Sequence, residues 1–460
     1  MLLPDATQTI VAPASPPGSG AIAVVRLSGP DAVRIASAFL KPSSITKDPK
    51  PGFAYLLKAE ERGRLLDKTV AVFYRAPRSY TGDDLVEISC HGSPYIVSAL
   101  LRLAIANGAR EARPGEFTLR AFMNGKLDLA QAEGVNDLII SEGAAAHRAA
   151  ITQVEGVIST RIKKLRVGLI NLLSELEVRL DDPYNELPKL EPKLFAGRAR
   201  TAAAAIKTLA DSFEKGRRLK HGVRVTIAGA PNSGKSSLLN RLVGDKRAIV
   251  SPKAGTTRDT IEEKLNLSGF TVIFTDTAGI NPRTNDALER EGMRRSLGAV
   301  KTADIILWVL DVSRKNSAAD LRVKETIELR AAPGADIIKV YNKSDLPAAR
   351  PPEETAAGTK VSCRTGAGLD ALKRRIIKEE NRVFSAESSA VITSARHYSA
   401  LLNAHKELSR LAAVCGPEVI PFELAAEHLR GALAALSDIL GETTSGEILE
   451  NIFKKFCVGK

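Results

Sequence analysis

One glycine-rich segment, GAPNSGKSS (229–237), has residue types and spacing that suit phosphate binding. It follows the strand-like run VRVTIA and precedes the helix-like run SLLNRLV, the context that a G-x-x-x-x-G-K-S loop requires. Gly229 and Gly234 let backbone N–H groups face phosphate oxygens. Lys235 brings positive charge to the β- and γ-phosphates, and the Ser236 hydroxyl suits Mg²⁺. The segment therefore predicts a nucleoside triphosphate site.

Three further motifs follow in order: GTTRD at 255–259, DTAG at 276–279 and NKSD at 342–345. Thr257 and Asp276 suit the Mg²⁺ shell, and the Gly279 N–H suits the γ-phosphate. The Asp345 carboxylate can accept two N–H bonds from guanine, whereas adenine offers no matching pair of donors. Together these motifs predict GTP as the nucleotide.

The residue after DTAG departs from Ras-like proteins, where a glutamine orients the attacking water. Ile280 occupies that place and cannot position water, so hydrolysis must use another group or be slow. The Asn232 side chain lies in the phosphate loop, where its oxygen could bind a monovalent cation. A plain hydrogen-bonded loop asparagine is the alternative.

Composition indicates a multidomain protein with an anionic partner. A chain of 460 residues suits two or three domains, and 66 Lys+Arg against 53 Asp+Glu give a net charge of +13. RNA is the expected partner of such an excess, and a merely solvated basic surface is the alternative.

The four cysteines lack CxxC spacing, which argues against structural zinc and disulfides: Cys90, Cys363, Cys415 and Cys457. The longest strongly apolar run, residues 305–310, is too short to span a membrane, and no secretory signal is visible. We expect a cytoplasmic protein without a membrane partner.

Hydrophobic periodicity divides the chain by texture. Residues 8–122 mix β-rich runs with one helical pattern, which indicates an α+β domain. Long helices are predicted from about 123 to 217, and a parallel α/β sheet follows from Gly222. After about residue 382 the pattern is helical again. The α/β unit is therefore predicted to be inserted into a discontinuous all-α domain.

The chain ends in FKKFCVGK, with a cysteine fourth from the end. Gly459 and Lys460 suit a prenylation box poorly, and a frayed tail is the ordinary expectation. The preceding helical run SGEILENIFKKF could instead dock the tail on the N-terminal domain.

The motif set resembles the MnmE (TrmE) family of tRNA-modifying GTPases over essentially the whole chain. Outside the GTPase motifs the resemblance rests on TIVAPASPPGSGAIAVVRLSG, YTGDDLVEISCHG, ARPGEFTLRAFMNGKLDLAQAEGVNDLI and the terminal FCVGK. It implies a tetrahydrofolate-binding, dimerising domain at 1–122, helical segments at 123–217 and 383–460, and a Ras-like G domain at 218–382.

The resemblance also implies a function. With an FAD-dependent partner of the MnmG (GidA) type, the family adds a (carboxymethyl)aminomethyl-type group to C5 of the wobble uridine of certain tRNAs. Methylenetetrahydrofolate is the implied carbon donor, and 5-formyltetrahydrofolate is a related ligand. K⁺ is implied to supply transition-state charge when two G domains meet.

Motifs and resemblance together predict the site residues. The GTP contacts are Asn232, Ser233, Gly234, Lys235, Ser236, Ser237, Ser251, Thr256, Thr257, Asp276, Thr277, Ala278, Gly279, Asn342, Lys343, Asp345, Ser362, Cys363 and Arg364. Mg²⁺ is assigned to Ser236 and Thr257, and K⁺ to Asn232, Ser251, Lys253 and Thr256. The folate contacts are Arg26, Glu87, Lys126 and Lys460. The catalytic candidates are Lys235, Glu289 as the water-orienting acid, and Cys457.

The sequence departs from the family pattern at two places, and two alternative functions stay open. The last guanine-contacting dipeptide, usually SA, is Ser362–Cys363, and Lys253 replaces a commonly apolar residue. A ribosome-assembly switch is one alternative function, although no KH- or OB-like RNA-binding pattern is visible. A signalling scaffold is the other.

Overall fold

The computed structural model describes residues 7–180, 188, 190–244, 262–276, 298–348, 358–378, 391–416 and 419–459. The chain divides into two compact units. The first comprises Met1–Ile139, Gln153–Lys207 and Ser399–Lys460, and the second comprises Ile140–Thr152 and Thr208–Tyr398. Because the first unit does not separate the N-terminal domain from the helical one, the four predicted boundaries stay predictions.

The described strands are β1 Ile10–Pro13, β2 Gly20–Ser28, β3 Leu40–Lys41, β4 Ala54–Glu61, β5 Arg64–Tyr74, β6 Leu85–Gly92, β7 Arg110–Glu111, β8 Val223–Gly229, β9 Glu262–Leu267, β10 Phe270–Asp276, β11 Ile305–Asp311, β12 Asp336–Asn342 and β13 Thr359–Lys360. The described helices are α1 Ala32–Phe39, α2 Ser43–Thr46, α3 Pro94–Ala106, α4 Glu116–Met123, α5 Leu129–Ile140, α6 Ala144–Val154, α7 Val157–Leu180, α8 Pro192–Asp211, α9 Phe213–His221, α10 Lys235–Val243, α11 Ala318–Arg330, α12 Leu369–Ile376, α13 Ala395–Val414, α14 Phe422–Leu440 and α15 Gly446–Phe453. None of these helices is long and apolar enough to span a bilayer.

The first unit contains a seven-stranded sheet in the order β3-β4-β5-β6-β2-β1-β7. Its strands pair antiparallel except β1 with β7. Along β5, buried Thr69, Ala71 and Phe73 alternate with more exposed residues, the period of two that a one-sided strand requires. Helices α1 and α3 cover that face and bury Phe39 and Leu100 against it. The opposite face of the sheet carries Arg26 and Glu87.

The helical part of the first unit is built from chain segments that precede and follow the second unit in sequence. In α13, Leu401, Ala404, Leu408 and Leu411 are all buried, and their spacing of three and four residues places them on one helix face. The C-terminal helix α15 shares a small apolar core with α4 and α5. This core fixes the start of the terminal tail near the first sheet.

The second unit is a six-stranded sheet in the order β13-β12-β11-β8-β10-β9, parallel except for the β9–β10 pair. All seven residues of β11 are buried because separate apolar clusters cover both faces of the sheet. The carboxyl ends of β8, β11 and β12 meet at one edge, where parallel sheets bind ligands. The predicted fold class is confirmed.

One predicted helix is interrupted. The run AGRARTAAAAIKTLADSFEKGRRLK, which falls almost wholly in the stretch predicted to form long helices, is divided between two: α8 ends at Asp211 and α9 begins at Phe213. The Ser212 hydroxyl donates to the Leu209 carbonyl at 2.6 Å and accepts from the Ile392 N–H at 3.0 Å. A tertiary hydrogen bond that no local pattern signals therefore accompanies the break.

Candidate functional site

The phosphate loop connects β8 to α10, and two glycines are sterically required in it. A Cβ at Gly229 would lie 2.5 Å from the Val309 carbonyl oxygen. At Gly234, where φ is +96°, a Cβ would lie 2.1 Å from Asn342 Nδ2. Asn232 also adopts the left-handed conformation, with φ of 62°, which asparagine tolerates better than most residues. The phosphate loop is therefore tightly folded, and residues of β11 and β12 pack against it.

Positive charge accumulates where this loop enters α10. The buried Lys235 Nζ donates to the carbonyl oxygens of Gly229 at 3.0 Å and Ala230 at 3.1 Å. The Ser233 hydroxyl is fully buried and has no hydrogen-bond partner within the part of the chain described. The Ser236 and Ser237 side chains are exposed at the helix start. A helix N-terminus combined with an ammonium group suits a polyphosphate.

The Asn342 side chain joins the phosphate loop to the loop at 362–364, which is predicted to contact the base and is called here the base-binding loop. Its Nδ2 donates to the Ser233 carbonyl at 2.9 Å, and its Oδ1 accepts the Cys363 N–H at 3.3 Å. Arg241 of α10 contacts the same loop, and its guanidinium donates to the carbonyls of Cys363 at 2.8 Å and Arg364 at 3.0 Å. One amide and one guanidinium thus set the relative position of both loops.

The Asp345 carboxylate is held ready to accept hydrogen bonds. The Ser362 hydroxyl donates to its Oδ1 at 2.7 Å, and Arg364 Nε lies 3.3 Å from its Oδ2. The hydrogen bond from Ser362 is the main cause of a lowered pKa of Asp345, and the charges of Arg364 and Lys343 add to it. The group is therefore a carboxylate at neutral pH, as guanine recognition needs.

Lys343 anchors the same loop to the neighbouring strand. Its Nζ lies 2.7 Å from Oδ2 of the buried Asp311, at the end of β11. Burial alone would raise the pKa of Asp311, but hydrogen bonds from Lys343 and Ser313 outweigh it, and the pKa is lowered. This ion pair keeps the NKSD turn at the carboxyl edge.

Other predicted nucleotide residues are only partly placed. Asp276 ends β10 and pairs in register with Ile227, two residues before Gly229. The strand therefore delivers Asp276 to the same edge. The following predicted residues lie outside the described ones: Ser251, Lys253, Thr256, Thr257, Thr277, Ala278, Gly279 and Glu289. Their roles stay predictions.

In the first unit, Arg26 and Glu87 form a close pair. They are directly opposite each other on β2 and β6, and Arg26 Nε and Nη2 donate to Glu87 Oε1 at 3.0 and 2.6 Å. The Arg26 guanidinium also lies over two rings, 5.5 Å from the centroid of Tyr80 and 5.7 Å from that of Phe117. This packing restricts the guanidinium to one position.

A cavity of about 330 Å³ opens beside this pair. It is lined by Tyr74, Arg78, Ser79, Tyr80, Leu85, Glu87 and Lys126. Lys126 Nζ donates to the Pro77 carbonyl at 3.0 Å, and the Tyr80 hydroxyl contacts Thr118 Oγ1 at 2.8 Å. The cavity thus combines a carboxylate, cations and aromatic rings, a set that suits a pterin with an anionic tail.

The terminal tail lies beside Arg26. The Gly115 N–H donates to the Cys457 carbonyl at 3.2 Å, and the Gly459 carbonyl accepts from Arg26 Nη1 at 3.3 Å. The Cys457 side chain is exposed. Three of the predicted folate residues and the tail are therefore brought together, while Lys460 lies outside the described residues.

Sequence reasoning missed several residues that hold these sites. Asp311 and Arg241 anchor the base-binding loops, and Tyr80, Phe117 and Tyr74 form the aromatic surroundings of Arg26 and its cavity. Tyr80 belongs to the YTGDD motif, so it could have been found from that motif. The others carry no spacing signal, because only the tertiary fold brings them close.

Comparison with known proteins matches the chain almost end to end. The profile described as "MnmE helical domain" matches residues 129–457, and "GTP-binding protein TrmE N-terminus" matches residues 9–126. Proteins named "tRNA modification GTPase MnmE" are 41% identical in Syntrophotalea carbinolica, over 98% of this chain and 99% of that protein, and 40% identical in Aquifex aeolicus, over 98% and 100%. The Neisseria meningitidis protein of that name is 40% identical over 99% and 100%. This chain therefore belongs to the MnmE family of tRNA modification GTPases.

Proposed function

We propose that this GTPase is K⁺-activated and forms the folate-binding half of a cytoplasmic tRNA-modifying complex. It works as a homodimer with an FAD-dependent MnmG-type partner. The complex adds a (carboxymethyl)aminomethyl group to C5 of the wobble uridine of certain tRNAs, with a tetrahydrofolate carbon. The observation that carries the proposal is the coexistence, in one chain, of the guanine-selective edge and the Arg26–Glu87 cavity.

The residues present fit the implied ions. The exposed Ser236 hydroxyl at the start of α10 suits Mg²⁺, together with Thr257. The exposed Asn232 side chain suits K⁺, together with Ser251, Lys253 and Thr256. When bound, these ions supply positive charge for the transferring phosphoryl group. The chain's own part is to orient the phosphates through its loop N–H groups and Lys235, and to orient water through Glu289.

GTP turnover should depend on the cation and on Asn232. We expect turnover of the wild-type protein to be at least about tenfold faster in KCl than in NaCl, because charge placed at the transition state is worth this much or more. In Asn232→Gly the rate in KCl should fall to the NaCl level. Glycine keeps the left-handed backbone and removes only the side-chain oxygen, so GTP affinity should change little. Steady-state phosphate release in both salts measures this.

Ser237→Ala is the matched control in the same segment, since this exposed hydroxyl has no assigned ion. It should keep the response to KCl. Equal wild-type rates in both salts would remove K⁺ activation from the proposal. An unchanged K⁺ response in Asn232→Gly would return Asn232 to a structural loop residue.

Reduced folate should bind the first unit. Titration of 5-formyltetrahydrofolate by calorimetry should give saturable binding, and Glu87→Gln should weaken it by at least about tenfold. The reason is that a charge-assisted hydrogen bond to the pterin amide edge contributes about 1.5–3 kcal/mol. Glu87→Gln also releases Arg26 from its ion pair, which adds to the loss.

Glu111→Gln, an exposed carboxylate on β7 of the same sheet, is the control and should bind folate normally. Absence of folate binding to the wild-type protein would contradict the proposed modification chemistry. Equal affinities of Glu87→Gln and Glu111→Gln would show that the pocket is elsewhere.

A further inference from the structure

The excess positive charge of the chain is concentrated in the inserted unit. Residues 218–382 contain 30 Lys and Arg against 20 Asp and Glu, so this segment carries ten of the 13 net positive charges. The nucleotide edge uses only a few of these lysines and arginines.

Many of them lie at the opposite edge of the sheet, where the parallel strands begin. Arg224 is the second residue of β8, and Lys301 precedes β11; both are exposed. Asp304 joins the starts of β8 and β11. The Arg224 N–H donates to the Asp304 carboxylate at 2.9 Å, and the Asp304 N–H donates to the Arg224 carbonyl at 2.9 Å. Arg217 and Arg218 of α9 pair with the same carboxylate.

Helix α12 brings further cations to this edge. It follows the parallel strand β13 and therefore runs back toward the strand starts. Its end buries Ile376 and Ile377 in the same apolar cluster against which Leu219 of α9 packs. Arg374, Arg375 and Lys378 are exposed at this end of the helix.

Lys215, two residues before Arg217 on α9, is also exposed. The surface formed by Lys215, Arg224, Lys301, Arg374, Arg375 and Lys378 is named here the amino-edge surface. None of these six side chains forms a salt bridge with any described acidic residue, although Asp336 is exposed at the same edge. Burial is the main cause of the lowered pKa of His221, and the charges of Lys220, Arg217 and Arg224 lower it further.

Two simpler explanations account for only part of this surface. Cations in the last turn of α12 stabilise the helix dipole by about 0.3–1 kcal/mol each, and Lys301 lies in the last turn of the helical segment before β11, but Arg224 and Lys215 occupy no last turn of a helix. In the other basic run, RIKKLR on α7, two of the four cations are paired with carboxylates. There Arg166 pairs with Glu442 at 2.6 Å and Lys163 with Asp128 at 3.4 Å.

We propose that the amino-edge surface binds the phosphate backbone of the tRNA substrate. This inference rests on the proposed function, and it places RNA on the side of the inserted unit opposite the guanine site. An RNA backbone presents a series of separated phosphate anions. Such a series matches a surface whose cations come from separate helices and strands. Contact with backbone alone gives affinity without sequence preference.

The test compares two triple variants for binding of unfractionated tRNA at several KCl concentrations. Arg374→Gln/Arg375→Gln/Lys378→Gln removes three cations of the surface, and glutamine preserves helix propensity. Arg322→Gln/Lys324→Gln/Lys339→Gln removes the same charge from the middle of α11 and of β12, away from both edges of the sheet. We expect the first to bind at least about tenfold more weakly near 0.1 M salt, with a salt slope lower by about 2–3, since each phosphate contact contributes about 0.7–0.9.

The control should keep the wild-type slope, and both variants should hydrolyse GTP at the wild-type rate, because neither touches the nucleotide edge. If wild-type protein binds no tRNA, the proposed function fails. If it binds tRNA and the two variants behave alike, the amino-edge surface is wrong while the proposed function stands. Variant-sensitive binding to phosphatidylserine vesicles, with unchanged tRNA binding, would also overturn the inference and assign the surface to anionic lipid.

Discussion

Asp345→Asn should lose affinity for GTP by at least about a hundredfold, because sites built to hydrogen-bond a substrate group discriminate strongly when the match is lost. The carboxylate accepts two N–H bonds from guanine, whereas an amide turns one acceptor into a donor. Xanthine carries a carbonyl where guanine carries its amino group. The variant should therefore bind XTP more tightly than GTP. Competition of both nucleotides against a fluorescent GTP analogue measures the exchange in specificity.

The structure supports this reversal because most of the frame around Asp345 does not depend on its charge; the exposed Arg364, 3.3 Å away, is the described residue that forms an ion pair with it. Ser362 can donate equally to an amide oxygen, and Asn342 and Arg241 hold the loops through other atoms. Asp336→Asn, the same change at the opposite end of β12, is the control and should keep GTP preference. A variant of Asp345 that binds GTP normally would mean that another residue reads the base.

Gly459→Ala should abolish tRNA modification while GTP hydrolysis continues. Gly459 has φ of +93°, and an added Cβ would lie 2.0 Å from the Pro13 carbonyl oxygen. The left-handed conformation alone costs about 1–2 kcal/mol for other residues, and the contact with backbone adds to this. The tail should leave its place beside Arg26 and take Cys457 with it. Mass spectrometry of tRNA hydrolysates and phosphate release measure the two activities.

Gly446→Ala tests the same substitution in the same terminal segment. An added Cβ there meets no atom within 4 Å, and the residue begins α15, so modification should be unchanged. If Gly459→Ala modifies tRNA as well as Gly446→Ala does, the docked tail has no part in the chemistry. Loss of GTP turnover in Gly459→Ala would instead indicate general misfolding.

Sequence patterns predicted the elements that have strong local signals. The strand-like run VRVTIA and the apolar run at 305–310 lie within β8 and β11, because continuous apolar runs with β-branched residues suit strands that are covered on both faces. Gly229 and Gly234 were predicted to let the backbone N–H groups face phosphate, and the structure adds that no side chain fits at either position. The two strands depend on neighbours in the chain, whereas the crowding at the two glycines comes from Val309 and Asn342.

Features that depend on distant residues were not predictable in this way. The break at Ser212 accompanies a bond to Ile392, and the anchoring of Lys343 depends on Asp311, 32 residues earlier. The rings around Arg26 come from separate segments of the first unit. In each case a charged or polar group gains a partner only after the sheets have formed. Sequence could suggest the chemistry of Arg26 and Glu87 through family resemblance, but not their aromatic surroundings.

The Asn342 bridge has a consequence for how the two ends of a nucleotide are sensed. Because one amide contacts the carbonyl of Ser233 and the N–H of Cys363, ordering either loop lowers the entropy still to be lost by the other. Guanosine and inorganic triphosphate, supplied as separate fragments, should therefore bind cooperatively rather than independently. A triphosphate with the wrong base would then be turned over slowly even at saturation. Recognition of the purine would therefore raise the rate of phosphate hydrolysis as well as the binding affinity.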